Sequence, residues 1–594
     1  MTNIAGLSII YEISISLYEK IHEAEMSDDK KMTAGAALLS RFSALGVDYV
    51  FTNSGTDFPP VIEGLSEAEA EGMSLPRTVT VPFESAAIGM AHGYTLATGR
   101  PQAVMVHTNV GLANVAMGAI NAACDNIPML LFSGRTPTLE KGRLGARTVP
   151  IGWGQEMLDQ ASLIREATKW DYELRFPEQV FDVTDRAHGI AASTSKGPVY
   201  ISLPREVLCE TVPAKGALRR PQMRPVTIAP DPATMGEVAR LLVEAKHPVI
   251  FAQHGAGSQE AFAALARLTA EWGIPVCQYW AVELALSTTH PMATGPDPRP
   301  WLEKADVILC LDVLAPWAPT DVEPLEDTTV IQIGPRPLQE RSGVRNFRCD
   351  LGVTSEVAPA ILALEAALSK FTDSDGTAAA RGKAVAQANE ADRTARFDAA
   401  LADENATALT KRWISHELSL HLQDREASVF SELGCQLPSM KLETHQSWFD
   451  GPHAGGLGWG FPAAMGFALA RPERVVVATM GDGSYMFANP VACHQIAEAL
   501  DLSMLVLVLN NAEWGAVRQS VLDVYPDGHA SRANTVPLTD LSPSPNFVKV
   551  AEASRAFARH AKTVAEFRNA LTEALDHVAA KKGLALIEVA ISKS

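Results

Sequence analysis

VVVATMGDGSYMFANPVACHQIAEALDLSMLVLVLNN, residues 475–511, is the stretch whose reading decides the fold. It opens and closes on apolar runs, VVVATM and SMLVLVL, too uniformly apolar for strands with one wet face and read as buried parallel strands. Between them a helix is expected from about Asn489 to Leu500. Strand, helix and strand in this order form one βαβ unit, whose two strands end at the same edge of the sheet, where α/β folds place ligands. Gly481-Asp482-Gly483-Ser484 closes the first strand and Asn510-Asn511 the second, with 26 residues from Ser484 to Leu509 between them. The spacing predicts that Asp482 and Asn511 converge.

The same alternation extends outward in both directions. From 405 to 594 strands such as RVVVATM and the closing ALIEVAI alternate with helices. Further upstream, HPVIFAQHGAG, GIPVC, ADVILCLD and TTVIQIG are the strands of a block over 222–370, separated from the last block by a polar, helix-prone linker at 371–404. The loop GAGS at 255–258 has two glycines of a dinucleotide fingerprint, but Glu260 stands where the third belongs and no confirming acidic residue follows. A first block over 32–210 carries VDYVF, AVMVH, PMLLFSG and PVYISLP as strands, with helices at ESAAIGMAHGYTLATG and NVAMGAINAAC. A linker rich in proline and basic residues is expected near 205–225, and residues 1–31 read as an N-terminal extension. The fold class expected is α/β, with three doubly wound parallel-sheet domains.

Bulk composition narrows the partners. With 594 residues and 47% hydrophobic content the chain can bury several cores. A net charge of −19 repels nucleic acid and anionic membrane surfaces, which leaves small molecules as the expected ligands. The seven cysteines are scattered without CxxC spacing, so neither a disulfide framework nor a zinc site is expected, and a cytoplasmic location fits. No run reaches the roughly 18 apolar residues of a membrane span, and no signal peptide is read at the start.

A carboxylate, a side-chain amide and a nearby backbone carbonyl are hard oxygen donors suited to Mg²⁺ that also holds phosphate oxygens. Glycines on both sides of Asp482 let backbone approach a diphosphate. The plainer reading is a tight GDG turn and a polar NN loop.

On these residues the chain resembles the thiamine-diphosphate enzymes that include acetolactate synthase, benzoylformate decarboxylase and pyruvate decarboxylase, whose signature is a GDG joined by one such crossover to an NN pair. The resemblance runs from about residue 32 onward, in the family's order of pyrimidine, central and diphosphate domains. It is close to benzoylformate decarboxylase in GGLGWGFPAAMGFALARPERVVVATMGDGS and LNNAEWGAVR, and leans toward acetolactate synthase in GQEMLDQASLIREATKWDYEL. It implies metal ligation by Asp482, Asn511 and the backbone carbonyl of Glu513, with Gly481, Gly483 and Ser484 at the diphosphate. It implies a cofactor-activating glutamate at Glu84, a wedge under the cofactor at Leu457, and a carbonyl facing the aminopyrimidine at Gly455. The active-site histidine falls on His107; Gln155 is a further substrate-facing candidate, and Trp153, Trp459 and Trp514 are candidates for the pocket wall.

Departures accompany the likeness. Phe83 replaces the histidine that often precedes the glutamate, Gly154 replaces a phenylalanine, and VLAPWAPTDV at 313–322 stands where acetolactate synthases carry an arginine-rich run. FAD in the central domain is therefore not expected. The implied activity is cleavage or formation of a carbon–carbon bond next to a carbonyl, with a 2-oxo acid as the substrate class and a homodimer or homotetramer as the assembly. An acyl-CoA lyase or decarboxylase, a C–C hydrolase on the same scaffold, and a cofactor-binding protein without turnover are the competing readings.

Overall fold

Strands form where the sequence is apolar on both faces, as the middle strand Met129–Arg135 illustrates by burying all seven of its residues. The computed structural model describes residues 30–533 and 535–593. The extension expected over 1–31 thus lies, up to residue 29, outside the described residues. The chain divides into two compact units: residues up to 91 with 99–226, and 92–98 with 227–594.

In the first unit six parallel strands lie in the order Arg77–Thr80, Tyr49–Thr52, Gln102–Val106, Met129–Arg135, Pro198–Pro204, Asp171–Glu173. One core packs helix Ala34–Ala44 and helix Val180–Ala192 against the sheet through Leu38, Phe42, Phe132 and Phe181. Thr33 caps the first of these helices by accepting from the Ala36 amide. Arg41 and Asp185 are both buried there and form a two-pronged ion pair at 2.5 Å on each arm. Removing either partner would leave a buried unpaired charge, at a cost of about 3–5 kcal/mol. The short strand Lys31–Thr33 pairs antiparallel with Thr211–Pro213. This corrects the expectation of a plain linker at 205–225. That stretch begins with helix Arg205–Leu208 and then supplies the paired strand, because Val212 and Leu208 are apolar enough to be buried.

The second unit holds two parallel sheets. The five-stranded one runs Val276–Cys277, Pro248–Ala252, Val307–Leu311, Thr329–Gly334, Leu351–Thr354. The six-stranded one runs Trp448–Asp450, Ala427–Glu432, Val475–Gly481, Leu505–Asn510, Ala585–Ala590, Phe557–Ala561. In the GAGS loop Gly255 and Gly257 adopt φ of 68° and 76°, and Ser258 caps helix Gln259–Trp272, so turn geometry accounts for both glycines. Trp317, in the segment that departs from the acetolactate synthases, is spent on packing edge-on against Phe251 and Phe347. Within 371–404 the polar stretch forms helix Thr377–Ala402, whose Arg381 donates to the carbonyls of Ala245, Trp272 and Gly273. Among the described residues no helix is long and apolar enough to cross a membrane.

Candidate active site

In the first unit the chemistry gathers where strands end. Helix Glu84–Thr98 begins on Glu84, whose Oε2 accepts from the Asn114 side-chain amide at 3.0 Å. Gly111 on the following helix leaves room for this carboxyl: a Cβ there would lie 3.3 Å from Glu84 Oε1. His107 follows strand Gln102–Val106, and Asp57 follows its neighbour Tyr49–Thr52, with Thr52 paired to Met105.

The His107 imidazole is held on both nitrogens. Nδ1 is hydrogen-bonded to Asp57 Oδ1, and the Gln155 amide nitrogen lies 3.0 Å from Nε2. Gln155 therefore donates to Nε2, while Nδ1–H donates to Asp57, which fixes the tautomer. The other Asp57 oxygen accepts from the Thr108 amide at 3.3 Å. Two glycines make the space: a Cβ on Gly55 would stand 2.2 Å from the imidazole, and one on Gly134 would stand 1.4 Å from Asp57 Oδ2. The hydrogen bond to Asp57 raises the His107 pKa above its ordinary value, burial opposes this, and the negative charges of Asp57 and Glu84 add to the rise. Gln155 is carried on a loop clasped at its neighbour Glu156, which takes Arg135 at 2.6 Å, Thr136 Oγ1 at 2.7 Å and Arg147.

In the second unit Asp482 ends strand Val475–Gly481 and starts the short helix Asp482–Phe487. Its side chain is buried, and burial pushes its pKa up to about 6 against the pull of the backbone amides of Asp482, Gly483 and Asn511. Asp482 and the loop at Asn511 thus do converge. Asp482 Oδ2 is buried with no hydrogen-bond partner among the described residues, and the Ser484 hydroxyl shares that condition. A buried carboxylate oxygen without a donor is costly unless a cation meets it, so the site fits a divalent ion. Among the described residues no three His, Cys, Asp or Glu side chains cluster to hold a metal ion.

Asn511 and Asn510 differ in employment. Asn510 bonds to Glu588, the Ala512 amide and Ser544, a structural set, whereas among the described residues Asn511 Oδ1 accepts only the Glu513 amide at 3.1 Å. The Glu513 carbonyl accepts from the Gly515 amide at 2.9 Å, which leaves its second lone pair. Gly483 is required by Trp514, whose ring would lie 2.3 Å from a Cβ at that position.

Leu457 is half-buried on a loop with Gly455 at φ 71° and Gly458 at φ 84°. Glu432, at the end of strand Ala427–Glu432, anchors this loop by accepting the amides of Gly458 and Gly460, each at 2.6 Å. Burial pushes the Glu432 pKa up to about 7, and that of nearby Asp450 to about 7, first through burial and also through the charge of Glu432. Trp459 is buried against Phe430, Trp514 packs against Phe487, and Trp153 stands half-exposed under Arg147.

Sequence reasoning missed Asp57, Asn114 and Glu432. Glu432 ends the strand beside the one that leads to Asp482, whereas Asp57 lies in the loop after the strand beside the one that leads to His107, where the local sequence gave no signal.

Three α/β layers of parallel strands, two of them ending in clustered polar side chains, define the class as a multidomain α/β protein with ligand-bearing sheet edges. The chain belongs to the thiamine pyrophosphate enzymes. Residues 32–163 match their N-terminal TPP binding domain, 235–364 their central domain and 433–589 their C-terminal TPP binding domain, together more than half of the chain. Among curated relatives, a protein named "Probable 2-ketoarginine decarboxylase" of Pseudomonas aeruginosa is 29% identical over 85% of this chain and 87% of its own. The sulfoacetaldehyde acetyltransferase of Rhodobacter capsulatus is 26% identical over 95% of each chain. The crystal structure of benzoylformate decarboxylase from Polynucleobacter necessarius has a TM-score of 0.74 at 20% identity, covering 95% of this chain and 99% of that one, a likeness of fold.

Proposed function

We propose that the protein is a thiamine diphosphate- and Mg²⁺-dependent 2-oxo acid decarboxylase or carboligase of the acetolactate synthase-like group. The observation that carries the reading is the Asp57–His107–Gln155 chain at the sheet edge that also bears Glu84. Asp482 and Asn511 would hold Mg²⁺ with the Glu513 carbonyl, and the backbone at Gly481, Gly483 and Ser484 would meet the diphosphate. When bound, the cofactor supplies a carbon nucleophile and an electron sink beside the substrate carbonyl.

The protein's part is orientation and proton traffic. Glu84 would hold or give up a proton at Oε1, since its Oε2 accepts from the Asn114 side-chain amide. His107 gives or takes a proton at Nε2, Asp57 holds the opposite nitrogen and favours the charged ring, and Gln155 turns its amide when the ring changes state. Gly455 and Leu457 shape the cofactor's seat from a loop anchored by Glu432. A cytoplasmic homodimer or homotetramer acting on small 2-oxo acids completes the proposal.

The test is incubation of pure protein with thiamine diphosphate, Mg²⁺ and a panel of 2-oxo acids, with CO₂ and condensed products followed by mass spectrometry. Cofactor-dependent CO₂ release is expected. Absence of turnover across the panel, with the cofactor bound, would overturn the assignment.

A further inference from the structure

Beside His107 the first unit opens a shallow cleft whose wall carries three arginines. Arg135, Arg147 and Arg205 line it together with the hydroxyl-bearing Thr56, Thr136 and Thr148, and it shares Asp57 and Gln155 with the proton chain. The only carboxylate in this wall is Asp57, already committed to His107. Glu156 and Glu173 pair with Arg135, and Glu156 also with Arg147, so part of the positive charge in this wall is already matched.

Arg205 has no carboxylate partner among the described residues. Its guanidinium donates to three carbonyls, those of Gly145 at 2.8 Å, Ala146 at 2.6 Å and Thr56 at 3.1 Å. Neutral carbonyls need donors but not a positive charge, so the charge is surplus to the loop it fastens. Guanidinium groups backed by hydroxyls match a carboxylate or similar oxyanion.

That anion is not the carboxylate that leaves. An ion pair with a group about to become neutral CO₂ would stabilise the ground state more than the transition state and slow the reaction. We infer that this cleft binds a second, permanent carboxylate at the far end of the substrate, so that the preferred substrates are dianionic 2-oxo acids. The inference rests on the 2-oxo acid reading above and deepens it by naming the substrate class.

Two measurements on the holoenzyme decide it. The first compares kcat/KM for 2-oxoglutarate and 2-oxoadipate with that for 2-oxopentanoate and 2-oxohexanoate, in the wild type and in Arg147→Gln, Arg147→Lys and Arg205→Gln. The dianions are expected to be preferred, and the preference to fall roughly 10- to 100-fold in each glutamine variant, the scale of one charged hydrogen bond, with partial recovery in Arg147→Lys. No preference in the wild type, or a preference untouched by both glutamine variants, overturns the inference. The second is calorimetric titration of unreactive glutarate against butyrate. Saturable binding of glutarate alone, weakened in Arg147→Gln, supports the site, and equal or absent binding of the two overturns it. Should no 2-oxo acid be turned over, the proposed activity fails while the titration still decides the anion site.

Discussion

The first-unit sheet and the last sheet of the second unit are the same piece of topology put to different uses. Numbered along its own stretch of chain, each lays its six parallel strands in the order 2-1-3-4-6-5. In each, the candidate site residues sit at or beyond the ends of strands 1 and 3, where the winding reverses: Asp57 and His107 in one, Glu432 and Asp482 in the other. The first edge carries an imidazole held between a carboxylate and an amide, the groups proposed above to move protons. At the second, the Asp482 carboxyl is buried with one oxygen that has no hydrogen-bond partner among the described residues. Topology fixes where a site forms, and a few residues beyond each strand fix what it does.

The contrast is broken most severely at Asp482. Asp482→Ala removes the one anionic oxygen donor, and loss of Mg²⁺-dependent thiamine diphosphate binding is expected by calorimetry; binding equal to the wild type would refute the metal assignment. Glu84→Gln should do the opposite, keeping the cofactor while turnover falls by roughly 10²- to 10⁴-fold, the range of general acid–base catalysis. Exchange of the cofactor's C2 proton in D₂O, read by NMR after acid quench, should slow with it, and a wild-type exchange rate would remove Glu84 from the mechanism.

Asp57→Asn sharpens the account of the first edge. Since the bond to Asp57 raises the His107 pKa, the variant's pH–rate inflection should move to lower pH, with about a 10- to 100-fold loss in rate as part of the acid–base contribution. An inflection that stays in place would show that another group sets it.

The smallest effect is expected at Glu432→Gln. Burial holds the Glu432 and Asp450 pKa values at about 7 in the fold, above unfolded values near 4. Folding therefore favours the protonated forms, and their contribution to stability, full below about pH 4, is lost as pH rises through 7. The wild type's melting temperature should drop more steeply than the variant's between pH 5 and 8, and parallel curves would contradict the buried-carboxyl assignment.

The crossover at 475–511 was legible because both of its strands are uninterrupted apolar runs, and its strand ends put Asp482 near Asn511. His107 was legible as a strand-end residue. Asp57 was not, since TNSGTDFPP reads locally as a turn, and only the pairing of Thr52 with Met105 brings it beside His107. Glu432 was hidden in the same way, inside ASVFSE, where a terminal glutamate looks like an exposed strand end until the glycine loop at 455–460 covers it. The arginines of the cleft come from a strand end, a loop and a helix start, and nothing in their local spacing announces a shared wall.

Lys31 lies opposite Pro213 and Thr33 opposite Thr211, so the polypeptide enters and leaves the first α/β sheet at one seam. A module whose ends are stitched side by side behaves as a cassette: it can be copied, spliced into a longer gene, or cut open elsewhere and rejoined at the seam without threading chain through its core.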